Sequence, residues 1–283
     1  MPAMTLFDRL EPLLLAAADA LWERIPQAPP PEARLRACRI VAHRGEHDNR
    51  RLFENTLAAF EAAAACGAWG IECDLRWTAD EVAVVTHDPD LGRLWGVRER
   101  IRELSFAELR RRVPEVPSLA EVVQRFGGRL HLMVEIKDEP WPDPAGRNRR
   151  LARIFEGLRP REDYHLLALD PRLFGRIRFA PASCFVAVAQ GLPAAASRIA
   201  LAAGFAGIAA HYLLLSDRRL SRHHAAGQSA GTGYARSLPV LFREVGRGVD
   251  WVFTNHAGAL LGALAALSPP VPPGPGEAGS RTK

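Results

Sequence analysis

From Arg39 onward the chain alternates short apolar runs of strand length with longer segments whose apolar residues recur at helical spacing. Extended runs are predicted at Ile40-Val41-Ala42, 70–78, 130–137, 164–169, 184–189, 205–210, 229–234 (the weakest) and 249–253. Helices are predicted over 54–66, 119–126, 151–158, 172–179, 194–203, 218–226, 240–245 and 257–267. The run 82–87 reads as an extension of the second strand. Eight strand–helix units in strict alternation argue for a parallel sheet closed on itself, an α/β fold of the (β/α)8 TIM barrel type. An open doubly wound sheet is the alternative, but no GxGxxG or P-loop follows any strand. Segment 88–118 departs from the alternation and reads as a short, irregular insertion after the second strand.

Before the barrel, residues 5–25 place Leu6, Leu10, Leu13, Leu14, Ala17, Leu21, Trp22 and Ile25 on one helical face. Pro26 and Pro29-Pro30-Pro31 end that helix. Its acids Asp8, Glu11, Asp19 and Glu23 suit a packing helix over one end of the domain better than an anionic membrane surface. The expected organisation is an N-terminal helix and Pro-rich linker (1–38), the barrel (39–268) and a disordered Pro/Gly/Ser tail (269–283).

Composition narrows the class. The 283 residues are 48% hydrophobic and 24% charged, ordinary for a globular protein and sufficient for one barrel. The net charge of +5 helps attract phosphate, but the basic residues are scattered. Arg98 to Arg112 and Arg147 to Arg153 read as solvated helix faces, without the interleaved aromatics of a nucleic-acid platform, so no nucleic-acid partner is expected. Cys38, Cys66, Cys73 and Cys184 are widely spaced, form no CxxC and read as reduced, mostly buried residues. Early acids speak against a signal peptide, and no run reaches the roughly 18 apolar residues of a membrane span. A cytoplasmic location is the expectation; oligomeric state is left open.

Candidate chemistry sits at the carboxyl ends of the early strands, where barrels carry their sites. In Glu72-Cys73-Asp74 and Glu135-Ile136-Lys137, strand alternation sends Glu72 with Asp74, and Glu135 with Lys137, to one face. His43-Arg44-Gly45 ends the first strand, and His87-Asp88 ends the run at 82–87. Each group alone has a plainer reading: a hydrogen-bonded core histidine, a turn, a strand leaving the core, a Glu–Lys pair. Together, on one arc of one face, they point to chemistry. Three carboxylates make a hard oxygen site suited to Mg2+ or Ca2+. His43 and His87 can move protons near neutral pH, and Arg44 and Lys137 can hold an anion. These are the parts that phosphodiester cleavage needs.

In order and spacing these residues resemble the glycerophosphodiester phosphodiesterase family, of the phospholipase C-like phosphodiesterase type. The resemblance is carried by His43-Arg44-Gly45, Glu54-Asn55-Thr56 with Ala59-Phe60, Glu72-Cys73-Asp74, Thr78, Asp80, His87-Asp88, Pro117-Ser118-Leu119 with Glu121, and Glu135-Ile136-Lys137. Asp170-Pro171 and Gly248-Val249-Asp250 with Phe253-Thr254 add weaker signals. It implies a (β/α)8 barrel, one divalent cation held by Glu72, Asp74 and Glu135, an acid–base pair of His43 and His87, and a phosphate held by Arg44 and Lys137. It implies hydrolysis of a small-molecule glycerophosphodiester to sn-glycerol 3-phosphate and an alcohol. Attack comes from water or from the substrate's neighbouring hydroxyl. Glu54 and Asn55 would brace the first loop, with Asn55 also placed as a helix N-cap. The chain departs from the family at Gly231-Thr232-Gly233-Tyr234, Thr254-Asn255 and Ala168-Leu169, all expected on the half of the barrel away from the metal ligands. The stretch from His87 to Glu135 is short for the family, so a more open pocket is expected. Those departures bear on the leaving alcohol. A lysophospholipase D, its mouth widened at Gly231 and Gly233, is one alternative; a non-catalytic phosphate- or metal-binding barrel is the other.

Overall fold

A computed structural model describes residues 17–267 of the chain. In chain order the strands are β1 (Arg39–His43), β2 (Gly70–Trp77), β3 (Ala83–Val85), β4 (Asp90–Leu91), β5 (Val97–Arg100), β6 (His131–Ile136), β7 (Tyr164–Ala168), β8 (Phe185–Ala189), β9 (Gly207–His211), β10 (Ser229–Gly233) and β11 (Trp251–Thr254). Eight of them, in the order β1-β2-β6-β7-β8-β9-β10-β11, pair in parallel, and β11 returns to β1. The barrel is therefore closed, which removes its edges. The helices are α1 (Glu32–Ala37), α2 (Leu57–Ala65), α3 (Gly92–Trp95), α4 (Phe106–Arg112), α5 (Leu119–Phe126), α6 (Pro144–Ile154), α7 (Ala194–Ala203), α8 (Asp217–Ala225), α9 (Leu238–Arg247) and α10 (Ala257–Leu267).

Strand alternation produces two separate apolar layers. Ile40, Ala42, Ile71, Cys73, Val134 and Ile136 face outward into the large core under the helices. Val41, Met133, Leu167, Val186, Ala209, Trp251 and Phe253 fill the barrel interior. Both faces of the strands are buried, as parallel sheets require. The next same-face residue after Val41 is His43, and after Met133 come Glu135 and Lys137. The interior thus changes from apolar to charged toward the carboxyl ends of the strands.

Several expectations change. Residues 82–87 do not extend β2: β3 returns antiparallel, pairing Leu75 with Val85 and Trp77 with Ala83. Thr78 closes that turn, its amide donating to the Val82 carbonyl and its hydroxyl accepting from the Val82 amide. The helix predicted at 172–179 is a 3-10 run, Pro171–Arg176, started by the Asp170 side chain and burying Leu173 and Phe174. Segment 88–118 is not irregular: β4 and β5 pair, and Val84, Leu91, Ile101, Leu104, Leu109, Val113 and Val116 form a small core of their own. Arg147 is not solvated. It is buried over Trp77, 4.6 Å from the ring centroid, and held by Glu81 at 2.6 and 2.9 Å. Thr56, not Asn55, caps α2 by accepting from the Ala59 amide.

Of the predicted N-terminal helix, residues 17–22 are helical, while 5–16 lie outside the described residues, as does the predicted tail 269–283. The described part packs against the end of β9 and against α9. Buried Asp19 accepts from the Tyr212 hydroxyl, Arg243 lies 4.7 Å over Trp22, and Arg34 donates to the Gly246 carbonyl at 2.7 Å. No described helix is long and apolar enough to cross a membrane.

Candidate active site

Register brings the acids together. His43 pairs with Glu72 across β1 and β2, and Asp74 pairs with Glu135 across β2 and β6. Glu72, Asp74 and Glu135 each offer a carboxylate oxygen within 4.8 Å of the others, and all three are buried. Lys137 Nζ lies 2.6 Å from both Asp74 Oδ1 and Glu135 Oε1. Arg44 Nε stands 3.3 Å from Asp74 Oδ2. Three buried carboxylates thus face two cations, which leaves an excess of negative charge in a poorly solvated place.

The carboxylates respond unequally. Burial, reinforced by Asp74 and Glu135, pushes the Glu72 carboxyl well above its ordinary range. Burial also opposes charge on Asp74, but Lys137 and Arg44 prevail and hold that carboxyl well below its usual range. Glu135 is raised by burial in spite of Lys137. Burial works against the Lys137 charge, yet Asp74 and Glu135 outweigh it and raise the ammonium above its usual value. Glu72 Oε1 is buried and has no hydrogen-bond partner. An unpartnered carboxylate oxygen within reach of two others fits a divalent cation, and the all-oxygen set suits Mg2+ or Ca2+.

The first loop is built to present these groups. Arg44 and Gly45 both take left-handed backbone, φ 61° and 83°, turning the chain sharply out of β1. A Cβ on Gly45 would sit 2.8 Å from Ala59, so glycine is needed there. The Arg44 amide donates to Glu72 Oε2 at 3.1 Å, and its guanidinium donates to Glu54 at 3.0 Å. Asn55 is also left-handed, φ 58°, and its side-chain amide donates to Asp74 Oδ2 at 2.7 Å.

Both histidines are held the same way. His43 Nδ1–H donates to Asn255 Oδ1 at 2.6 Å, leaving Nε2 3.7 Å from Glu72 Oε2. His87 Nδ1–H donates to Asp88 Oδ1 at 2.7 Å. Burial, helped by the Arg44 charge, lowers His43 to about 4, and burial lowers His87 as well. Two neutral rings with Nε2 free to take or return a proton are the result.

Of the seven sequence-predicted site residues, His43 ends β1, Glu72 and Asp74 lie within β2, Glu135 is next to the end of β6, and Arg44, Lys137 and His87 follow β1, β6 and β3. Three participants were not among those seven. Asn255 was placed on the far half of the barrel, yet closure of β11 onto β1 puts it on His43. Tyr234, with left-handed backbone at φ 72°, turns its ring edge-on to His43 at 5.5 Å. Arg93, in the insertion, bonds both Asp88 and Glu54. The signal for Asn255 was available: it directly follows the last strand, as Arg44 follows the first. Gly231 does not widen the mouth, since a Cβ there would meet Phe253 at 2.8 Å.

An eight-stranded barrel bearing a buried acidic cluster between two imidazoles, at the strands' carboxyl ends, is the class this geometry defines. The model of the Glycerophosphoryl diester phosphodiesterase family matches residues 43–151. A glycerophosphodiester phosphodiesterase of Caldanaerobacter subterraneus is 32% identical over 110 residues, covering 35% of this chain and 44% of that protein. The chain spans less than half the length of the curated relatives it matches first. Two solved structures share the fold. One is a glycerophosphodiester phosphodiesterase from Thermotoga maritima, at TM-score 0.66, 21% identity, 80% of this chain and 98% of that one. The other is a phosphodiesterase from Oleispira antarctica in complex with the product sn-glycerol-3-phosphate, at TM-score 0.63, 20% identity, 80% of this chain and 96% of that one. Over residues 43–151 the chain is therefore similar in sequence to the glycerophosphoryl diester phosphodiesterase family, and beyond them it shares the fold of the solved structures.

Proposed function

We propose that the protein hydrolyses a glycerophosphodiester to sn-glycerol 3-phosphate and an alcohol, with Glu72, Asp74 and Glu135 holding one divalent cation. The observation that carries this reading is the convergence of three buried carboxylates, one with an unpartnered oxygen, beside two imidazoles whose Nε2 atoms are free. When bound, a cation supplies neutralisation of the phosphate charge and stabilisation of charge at the reacting oxygens. Arg44 and Lys137 flank the cluster and orient the anionic phosphate. One imidazole takes the proton of the attacking hydroxyl, either from water or from the glycerol's neighbouring hydroxyl; in the second case a cyclic phosphate forms first and water then opens it to sn-glycerol 3-phosphate. The phosphorus–oxygen bond to the alcohol breaks, and the other imidazole returns a proton to the departing oxygen. Each such transfer typically contributes about 10²–10⁴-fold. The four free cysteines favour a reducing compartment, in keeping with a cytoplasmic location.

A second reading has its own support. Leu169, Leu192 and Tyr234 are exposed on the loops that follow β7, β8 and β10, at 37%, 80% and 44%. An apolar rim opposite the acids suits the acyl chain of a lysophospholipid. The experiment is a chelated protein assayed on glycerophosphocholine and lysophosphatidylcholine, with Mg2+ or Ca2+ added back. Activity lost on chelation and restored by the ion is expected, and the preferred substrate decides between the two readings. Full activity in excess chelator counts against both. A metal-loaded protein inactive on both substrates points to a binding barrel instead.

A further inference from the structure

The ring of His87 is not held by Asp88 alone. Asp88 offers Oδ1 to His87 Nδ1–H at 2.7 Å and Oδ2 to Arg93 Nε at 2.5 Å. The terminal nitrogens of Arg93 close on Glu54, Nη2 to Oε1 at 2.5 Å and Nη1 to Oε2 at 3.3 Å. Glu54 is buried and also accepts from Arg44 at 3.0 Å and from Asn49 at 2.6 Å. One arginine therefore joins two carboxylates that serve different loops, the one carrying His43 and Arg44 and the one carrying His87. Packing supports the same junction independently: Trp95 on α3 lies against Phe53, ring centroids 4.5 Å apart.

We propose that Arg93 is a positioning residue for the reaction, fixing Asp88 and through it the orientation and Nδ1–H tautomer of His87. The inference rests on the role given above to His87. The guanidinium reaches Asp88 and Glu54 from different nitrogens; an ammonium has one nitrogen and can join two carboxylates only where both converge on that single point. With Arg93 gone, Asp88 loses its fixed rotamer and the imidazole is free to turn and to exchange its proton between nitrogens. Substrate binding is left to Arg44, Lys137 and the acidic cluster, so the loss falls on kcat. A small misplacement of a reacting group costs up to about 10²-fold.

The test uses the full chain with Mg2+ and glycerophosphocholine, alongside 15N spectra of its histidine side chains. His87 signals are identified by their disappearance in His87→Ala. In Arg93→Met, kcat is expected to fall about 10–100-fold with KM within about twofold, and the His87 nitrogens to move from one tautomer toward an average of two. Arg93→Lys should recover less than half of the lost activity. Asp88→Ala, which removes the acceptor on a part-exposed side chain, should reproduce the same nitrogen shifts if Arg93→Met does not fold. Wild-type kcat, or a loss of kcat with His87 nitrogens unmoved, overturns the proposal. Full activity in His87→Ala would instead overturn the role of His87, while the spectra still report whether Arg93 holds its ring.

Discussion

Asn55 tests the acidic cluster without a candidate ligand being replaced. Its side-chain amide donates to Asp74 Oδ2 at 2.7 Å, and its carbonyl oxygen accepts from the Asp74 amide at 3.3 Å. Its own amide donates to the Arg44 carbonyl at 2.9 Å. In Asn55→Gly the left-handed backbone is retained at no steric cost, and only the side-chain amide is lost. A buried hydrogen bond to a charged acceptor is worth about 1.5–3 kcal/mol. Expressed on Asp74, that is about a 10–100-fold loss of divalent-cation affinity, the scale seen when a ligand's supporting contact is removed. Calorimetric titration with Mg2+ and with Ca2+ measures it. Asn55→Ala is the companion variant. It loses the same amide and additionally strains the backbone at φ 58°, at about 1–2 kcal/mol. The two variants should share one shift in cation affinity and differ in urea midpoint. If Asn55→Gly binds the cation as tightly as the parent, Asn55 does not support the cluster and the reasoning fails.

Other outcomes follow from the same geometry. His131 and His165 lie buried at the lower end of the barrel, bonded Nε2 to Nδ1 at 2.7 Å between Trp69 and Trp251, and burial lowers them to about 4 and about 3. Unfolded histidine titrates near about 6.5, so the unfolded chain binds more protons below that pH. Stability is therefore full above about 6.5 and declines as pH falls toward the folded values, by roughly 2 kcal/mol per ring at about pH 5. Urea midpoints of the parent and of the double variant His131→Leu/His165→Leu, compared at about pH 8 and pH 5, check this; equal acid sensitivity would refute it. His43→Ala and His87→Ala should each lower kcat by about 10²–10⁴-fold while leaving the unfolding free energy from urea titration within about 1 kcal/mol of the parent. Gly207→Ala should fail to fold or be severely destabilised, because its Cβ would lie 1.9 Å from the Ser229 carbonyl oxygen on the neighbouring strand. Gly233→Ala, whose nearest neighbour is 3.9 Å away, should melt close to the parent.

The sequence determined the eight barrel strands, the side on which each acid emerges, and the end of the barrel that carries the candidate site. Those follow from local periodicity: a two-residue repeat fixes that Glu72 and Asp74 share a face whatever the rest of the chain does. Ser105 with Glu108 and Ser118 with Glu121 form capping boxes in the structure, local features that span four residues each. Tertiary structure alone decided what meets across long separations. Asn255 reaches His43 only because β11 closes onto β1, and Arg93 reaches Glu54 only because the insertion folds its own small core back against the first loop. The direction of β3 was equally hidden, since an apolar run reads the same whether it continues a strand or returns beside it. Arg147 looked solvated because charge in a helix is usually exposed. The two tryptophans and Glu81 that surround it come from other elements, and no spacing along the chain announces them.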